Sequence, residues 1–282
     1  MKMTLLKNGR ARLAGGASIA LLALGVLGSA PAWAGIANTK HNLGSSGTGN
    51  NKFSGTAEIC VFCHTPHGAD ITATVPLWNR NLGTQTYQTY NSLGTSSLDG
   101  ATAPVGSVSL ACLSCHDGTQ AMNVMINQPG SGGYNSPGVA MSGSWTGTGT
   151  LNGSTITNIG TDLRNDHPVG IQYGGGMSAG GAYTAGPIAS TAFKDQDFKP
   201  LVWASLNNNS VWYVDSGTAS GSRDKADMQL YTRTAAVGVT GTFAGAQAFV
   251  ECASCHDPHT ETATFLRVVN DGSAVCLACH IK

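Results

Sequence analysis

Aromatic and charged residues are scarce in this 282-residue sequence, at 7% and 11% of positions. Gly, Ser, Thr and Asn instead dominate long stretches, especially residues 130–160 and 174–190. Burial of large apolar side chains is the main favourable contribution to folding, and this composition supplies few of them for a chain of this length. We therefore expect something other than side chains to fill much of the interior.

No segment after residue 34 approaches the length of an apolar membrane span. The apolar run at 13–27 is short and contains glycine, and it lies between a basic start and the small-x-small pattern Ala32-Trp33-Ala34. This arrangement predicts a secretory signal peptide at 1–34 and an exported mature chain at 35–282. Because no cysteine precedes Cys60, a lipid anchor at the cleavage site is excluded.

An excess of positive charge is also missing. The predicted leader takes four of the 15 basic residues and none of the 15 acidic ones, which leaves 11 basic residues and a net charge of −4. This balance argues against nucleic acid as a partner. Gly174-Gly175-Gly176 has no flanking strand and helix pattern, so it predicts a flexible turn and not a phosphate-binding loop.

No cysteine lies outside four identical frames, which are CVFCH (60–64), CLSCH (112–116), CASCH (252–256) and CLACH (276–280). C-x-x-C-H is the attachment motif of c-type haem, because two thiols one helical turn apart can add to the two vinyl groups of a porphyrin. The histidine that follows binds the iron. We expect four covalent haems, attached through Cys60, Cys63, Cys112, Cys115, Cys252, Cys255, Cys276 and Cys279.

Disulfides and zinc are the competing interpretations of paired cysteines. A disulfide within a C-x-x-C pair would close a very short loop and would therefore stabilise the fold little. Zinc ribbons use paired C-x-x-C but have no reason to place a histidine after every pair. Four histidines after four pairs therefore favour haem.

The sequence has eight histidines, and the four motifs use half of them: His64, His116, His256 and His280. The remaining four match the number of second axial ligands that four irons need: His41, His67, His167 and His259. Methionine is the main competing ligand, and Met122 and Met125 lie just after the second motif, where packing against the ring is the better interpretation. Iron with two histidine ligands has no open position for substrate, so we expect electron transfer and not an enzyme.

The number of residues between a histidine and a haem motif limits which iron that histidine can bind. His64 occupies one face of its own haem, and His67 is too close in sequence to reach the opposite face. The same limit separates His259 from the iron of His256, so the fourth haem is the nearest candidate for His259. His41 has enough chain to return to the first haem.

His167 fits the second haem on the same reasoning, with Pro168 stiffening its loop. This leaves the third haem and His67 without partners. They pair either across a subunit boundary or within one chain.

The fold class we predict is mostly irregular, with short helices limited to single turns at the haem motifs and short pieces after them. The β-prone runs Val211–Val214 and Met228–Tyr231 flank a charged link, which predicts a small hairpin with a solvated tip. One haem per about 60 residues places rings and peptide in a shared core, so residues 35–282 are expected to form a single tetrahaem domain organised around a haem stack.

Several stretches together resemble the doubled-CxxCH multihaem cytochromes, and most of all the tetrahaem OmcE-type cytochrome nanowires that polymerise into extracellular filaments. The stretches that carry the resemblance are TKHNLG (39–44), CVFCHTPHGA (60–69), PLWNR (76–80), SLACLSCHDGT (109–119), NDHPVG (165–170), ECASCHDPH (251–259) and FLRVVNDGSAVCLACH (265–280). Residues 170–250 contain no motif of that group.

The resemblance implies a continuous stack of bis-histidine haems and a subunit that lends one histidine to a haem of its neighbour. The donor in such filaments is the second histidine of the first motif, here His67. We therefore expect a conductive filament in which His67 binds the third haem of the next subunit, with other redox proteins or extracellular acceptors as partners. The alternatives are a monomeric periplasmic electron carrier and a multihaem reductase with one open iron.

Overall fold

A computed structural model of the chain describes residues 35–130, 141–142, 146, 148–166, 168–217, 222–234 and 245–281. The described residues from Gly35 onward belong to one compact unit. The predicted signal peptide, at 1–34, lies outside the described residues. No helix among the described residues is long and apolar enough to cross a membrane.

Regular structure takes up little of the described chain. The α-helices are α1 (Ser107–His116), α2 (Cys252–Cys255) and α3 (Ala274–Leu277), and the 3-10 turns are Gly35–Asn38, Cys60–Phe62, Tyr90–Leu93, Tyr173–Gly175, Ser190–Ala192 and Ala263–Phe265. The strands are β1 (Lys52–Phe53), β2 (Met141–Ser142), β3 (Ile171–Gln172), β4 (Val202–Leu206), β5 (Asn209–Val214), β6 (Met228–Gln229), β7 (Tyr231–Arg233) and β8 (Gln247–Val250). They form small antiparallel sheets in the orders β1-β2, β3-β8-β7 and β4-β5-β6. The prediction of a mostly irregular fold is confirmed.

Helix α1 is longer than the single turns predicted for the haem motifs. It has ten residues, begins after the extended Gly106 and ends at His116, so the whole second motif lies on its last turns. The segment SVSLACLSCH contains no proline or glycine, and a helix can therefore extend through it. Asp117 closes the end by donating its backbone N–H to the Leu113 carbonyl at 3.0 Å.

The predicted hairpin is only partly correct. Tyr213 pairs with Gln229 and Val214 with Met228, as expected for β5 and β6. The main partner of β5 is nevertheless β4, joined to it by Asn207 and Asn208 at φ values of 49° and 63°. Two consecutive left-handed residues are typical of the tight turns that match strand twist, and asparagine tolerates that conformation. The Asn-Asn pair was therefore a turn signal that the sequence analysis missed.

The charged link after β5 is not a fully solvated tip. Asp227 is buried, and its carboxylate accepts backbone hydrogen bonds from Ser216 at 3.1 Å and Asp224 at 2.8 Å. Tyr231, which we expected in the same hairpin, belongs to β7 and pairs with Phe249 of β8. The chain therefore changes sheets at Leu230, which is itself buried.

The triple-glycine segment is a tight buried turn and not a flexible one. Gly174, Gly175 and Gly176 are all buried and all have positive φ, which L-residues with side chains rarely adopt. A Cβ on Gly174 would lie 2.7 Å from the Phe193 ring. Glycine is therefore required here for close packing.

The apolar core reaches the haem motifs in two places. The larger cluster includes Phe193, Trp212 and Met228, and the partly buried Cys255 and Cys279 pack against it. A second cluster consists of Phe53, Phe62, Met122 and Met125, with Cys63 and Cys115 at its border. The core therefore ends where porphyrin rings would continue it, which agrees with the low aromatic content.

Candidate haem-attachment site

Each C-x-x-C-H motif forms a helical turn with the same closing hydrogen bond. The histidine N–H donates to the carbonyl of the first cysteine at 2.8 Å in His64, 3.1 Å in His256 and 3.0 Å in His280, and the second motif lies within α1. A turn of this kind brings both thiols to one side and directs the following histidine beside them. All eight cysteines are free thiols and therefore remain available for thioether bonds.

The cysteines of successive motifs are neighbours in space. Burial and the nearby Cys115 thiol raise the pKa of Cys63 to about 12. A hydrogen bond with Cys252, together with burial, raises the pKa of Cys112. The contacts agree with these shifts, since Cys63 and Cys115 border one apolar cluster and the Cys252 N–H donates to Ser109 Oγ on α1 at 3.0 Å. The first motif therefore adjoins the second, and the second adjoins the third.

The third and fourth motifs continue this series. Burial and the nearby Cys255 thiol raise the pKa of Cys279 to about 12. Cys276 also contributes to raising the pKa of Cys255, after the larger effect of burial. The four attachment points thus follow one another in chain order, although 135 residues separate the second and third motifs in the sequence.

A buried carboxylate joins the second motif to the third. Glu251 is 1% exposed, accepts a hydrogen bond from Ser109 Oγ at 2.5 Å and forms an ion pair with Arg233. Ser109 Oγ in turn accepts the Cys252 N–H at 3.0 Å. Because Ser109 lies one turn before Cys112 on α1, these bonds place the two motifs against each other. A fully paired buried charge of this kind is costly to disrupt.

Three motif histidines are oriented by backbone carbonyls. Nδ1 donates to a carbonyl oxygen at 2.8–2.9 Å in each: His64 to Pro76, His116 to Thr157 and His256 to Thr264. A carbonyl can only accept, so Nδ1 carries the proton and Nε2 is left as the metal-binding nitrogen. Such hydrogen bonds fix ring orientation in metal-ligating histidines.

His64 and His259 face each other across a gap that fits an iron atom. Their ring centres are 6.1 Å apart and their planes differ by 15°. Two imidazoles bound to opposite faces of one metal ion, at about 2 Å each, have ring centres about 6 Å apart. An Asp257 carboxylate oxygen lies 3.3 Å from Nδ1 of His259. The hydrogen bond to His259 is the main reason that the pKa of Asp257 falls to about 2. The carboxylate is therefore ionised at neutral pH.

His41 and His116 form a second pair with the same spacing. Their ring centres are 6.1 Å apart at an interplanar angle of 57°. Burial, followed by the proximity of His116, lowers the pKa of His41 to about 4, so its imidazole is neutral and can act as a ligand. Phe265 stacks on the other side of His41 with ring centres 4.0 Å apart.

These histidine pairs differ from those expected from the sequence separation between each histidine and each haem motif. His41 lies against the second motif and not the first, and His259 lies against the first motif and not the fourth. Sequence separation gave the wrong neighbours because the segment after the third motif folds back over the first two. His167 lies outside the described residues, so its expected pairing with the second haem has no structural counterpart.

His67 has an exposed side chain next to the first motif. Its backbone carbonyl accepts hydrogen bonds from Thr65 Oγ1 at 3.0 Å and Asn127 Nδ2 at 2.7 Å, which hold the segment in place. The ring against His280 is Phe198, with centres 4.2 Å apart. No histidine ring lies against His280 in the part of the chain that the structure describes.

Two further residues that position the site were not identified from the sequence. Thr264 supplies the carbonyl for His256, and Phe265 stacks on His41, although both have positive φ values of 54° and 59°. Non-glycine residues in this region are strained and often occur at functional sites. No local sequence signal marks them, since the strain is maintained by tertiary contacts.

Comparison with known families supports the haem interpretation. Residues 245–282, which carry the third and fourth motifs, match the family model described as the doubled CXXCH motif. This match supports a multihaem c-type cytochrome. The motif indicates covalently bound haem and suggests electron transfer, and export agrees with it, since c-type cytochromes are exported proteins. A comparison with curated proteins found no match to the chain.

Proposed function

We propose that this protein is a tetrahaem electron carrier that polymerises head to tail into a conductive extracellular filament. The observation that carries the proposal is the order of contacts between the four motifs, in which each motif packs beside the next along the chain. Bound haem supplies a one-electron carrier at each motif. A linear order of carriers favours conduction from one end of the subunit to the other.

The histidine pairs support transfer without catalysis. His64 with His259, and His41 with His116, would occupy both axial positions of the first and second irons. His167 and His67 remain for the third and fourth. With every position filled by imidazole, no substrate can reach iron, so we propose that the protein is not an enzyme.

His67 is the proposed link between subunits. Its side chain is exposed beside the first motif, and the fourth motif, which packs beside the third, is the last of the series. Elimination along the sequence left His67 for the third haem, and the resemblance to filament-forming cytochromes implies that this haem belongs to the neighbouring subunit. The motif order favours the fourth haem of the neighbour, where His67 would bind opposite His280. Joining the first motif of one subunit to the fourth motif of the next continues the series of motifs across the contact. A head-to-tail contact of this kind does not close on itself and generates a filament.

The number of haems can be tested by intact mass. We expect the secreted protein to exceed its polypeptide mass by four haem masses, because each motif supplies two free thiols and a histidine. Replacing Cys112 and Cys115 together by alanine should reduce the excess to three haem masses. Two or fewer haems on the unaltered protein would contradict the tetrahaem assignment.

Negative-stain imaging tests the assembly directly. We expect secreted protein to appear as micrometre fibres, because each proposed contact leaves a free end for the next subunit. Dispersed particles with four low-spin haems would instead identify a monomeric periplasmic carrier. Rapid carbon monoxide binding by the purified protein would indicate an open iron and favour the reductase.

A further inference from the structure

Arg80 is a buried cation held entirely by backbone carbonyls. Its side chain is 2% exposed, and its guanidinium donates to Met122 at 2.9 Å, to Ala121 at 2.9 Å and to Ser114 at 3.1 Å. Its Nε is buried and has no hydrogen-bond partner among the described residues. The side chain is therefore fixed in place by a neutral environment.

No carboxylate forms an ion pair with Arg80 in the described part of the chain. Arg164 pairs with Asp162, and Arg233 pairs with Glu251. Asp117, on the same motif as Ser114, accepts its hydrogen bonds from Tyr87 and Thr119 instead. Arginine remains protonated at all accessible pH values, so a full positive charge is retained inside the protein.

The position of Arg80 brings this charge to two haem motifs at once. Ser114 lies between the two cysteines of the second motif. Met122 belongs to the apolar cluster that contains Phe62 and borders Cys63 of the first motif. Asn79, the residue before Arg80, donates its backbone N–H to the Cys63 carbonyl at 2.9 Å, so Arg80 also lies beside the first motif.

We propose that Arg80 is a positioning residue that raises the reduction potentials of the haems attached to the first and second motifs. Ferric haem carries one more positive charge than ferrous haem. A fixed cation in a low-dielectric interior therefore destabilises the ferric form and favours uptake of one electron from a neighbouring haem. The inference rests on haem attachment at these motifs and does not depend on filament assembly.

Potentiometric titration of the haem-loaded protein tests this role through Arg80→Gln. We expect the midpoint potential of one or two of the four components to fall by about 59 mV or more, which is a tenfold change in the ratio of oxidised to reduced haem. Arg164→Gln, which alters an exposed arginine, should leave all four potentials unchanged. Asp117→Asn removes a buried anion beside His116 and should shift a potential in the opposite direction.

Arg80→Lys distinguishes the effect of the charge from the effect of the side chain's packing. It also provides a test if Arg80→Gln fails to retain haem. With the introduced amine protonated, the potentials should stay near those of the unaltered protein. A buried amine has a lowered pKa, so raising the pH should neutralise it and lower the same potentials, whereas the unaltered protein keeps its cation. Equal potentials in Arg80→Gln and the unaltered protein, or no additional fall with pH in Arg80→Lys, would overturn the proposal.

Discussion

His67→Ala is expected to abolish fibres while leaving all four haems attached. Attachment uses only the two cysteines and the histidine of each motif, and His67 belongs to none of these sets. The exposed side chain also makes few contacts within its own subunit. The interface would lose a coordination bond, which is stronger than the surrounding contacts of an exposed segment. Intact mass and negative-stain imaging measure the two outcomes separately.

His41→Ala is the matched control for this experiment. It removes a histidine that faces His116 inside one subunit, so it should open one iron while preserving fibres. The comparison separates a bridging ligand from the general consequence of losing a ligand. Normal fibres from His67→Ala, with four low-spin haems, would show that His67 does not join subunits.

His259→Ala is expected to open the iron at the first motif, giving one high-spin haem per chain that binds carbon monoxide. The reason is the 6.1 Å separation between the His64 and His259 ring centres, which matches two imidazoles bound to one iron. The remaining three haems should stay low-spin, because His259 is not one of their axial ligands and both of their histidines are retained. Optical spectra with and without carbon monoxide provide the measurement.

A second set of variants tests which iron His259 serves. If Cys60 and Cys63 are first replaced by alanine so that the first haem is absent, His259→Ala should open no further site. If Cys276 and Cys279 are replaced instead, the carbon monoxide-binding haem should persist. The opposite pattern would restore the pairing with the fourth haem that reach along the chain suggested.

The local chemistry of this protein could be predicted from its sequence. Four C-x-x-C-H frames predict helical turns with adjacent thiols, because that geometry depends only on residues within five positions of one another. The stretches rich in glycine and serine predicted a fold with little regular structure, which the short antiparallel sheets confirm. The pairing of β5 with β6 was also predicted correctly, since β-prone runs mark both strands.

Errors had two sources, which were local signals left unused and positions that depend on distant contacts. The Asn207-Asn208 turn and the full length of α1 carried local signals that the sequence analysis did not use. The buried environment of Asp227 and of the glycine turn had no such signal, because burial is determined by segments that pack from elsewhere. Composition alone indicated solvated loops in both places.

The sequence by itself indicated covalently bound haem, predicted the cysteines that attach it and fixed the number of histidines available to bind iron. Only the tertiary structure decided which histidines face each other. Residues 256–265 fold back over the first two motifs, so His259 meets His64 and Phe265 stacks on His41. The length of chain between a histidine and an iron excludes the irons that the histidine cannot reach. It does not show which of the remaining irons the histidine binds, since closing a long loop costs little more free energy than closing a short one. Tertiary packing therefore determines which of the possible histidine pairs form.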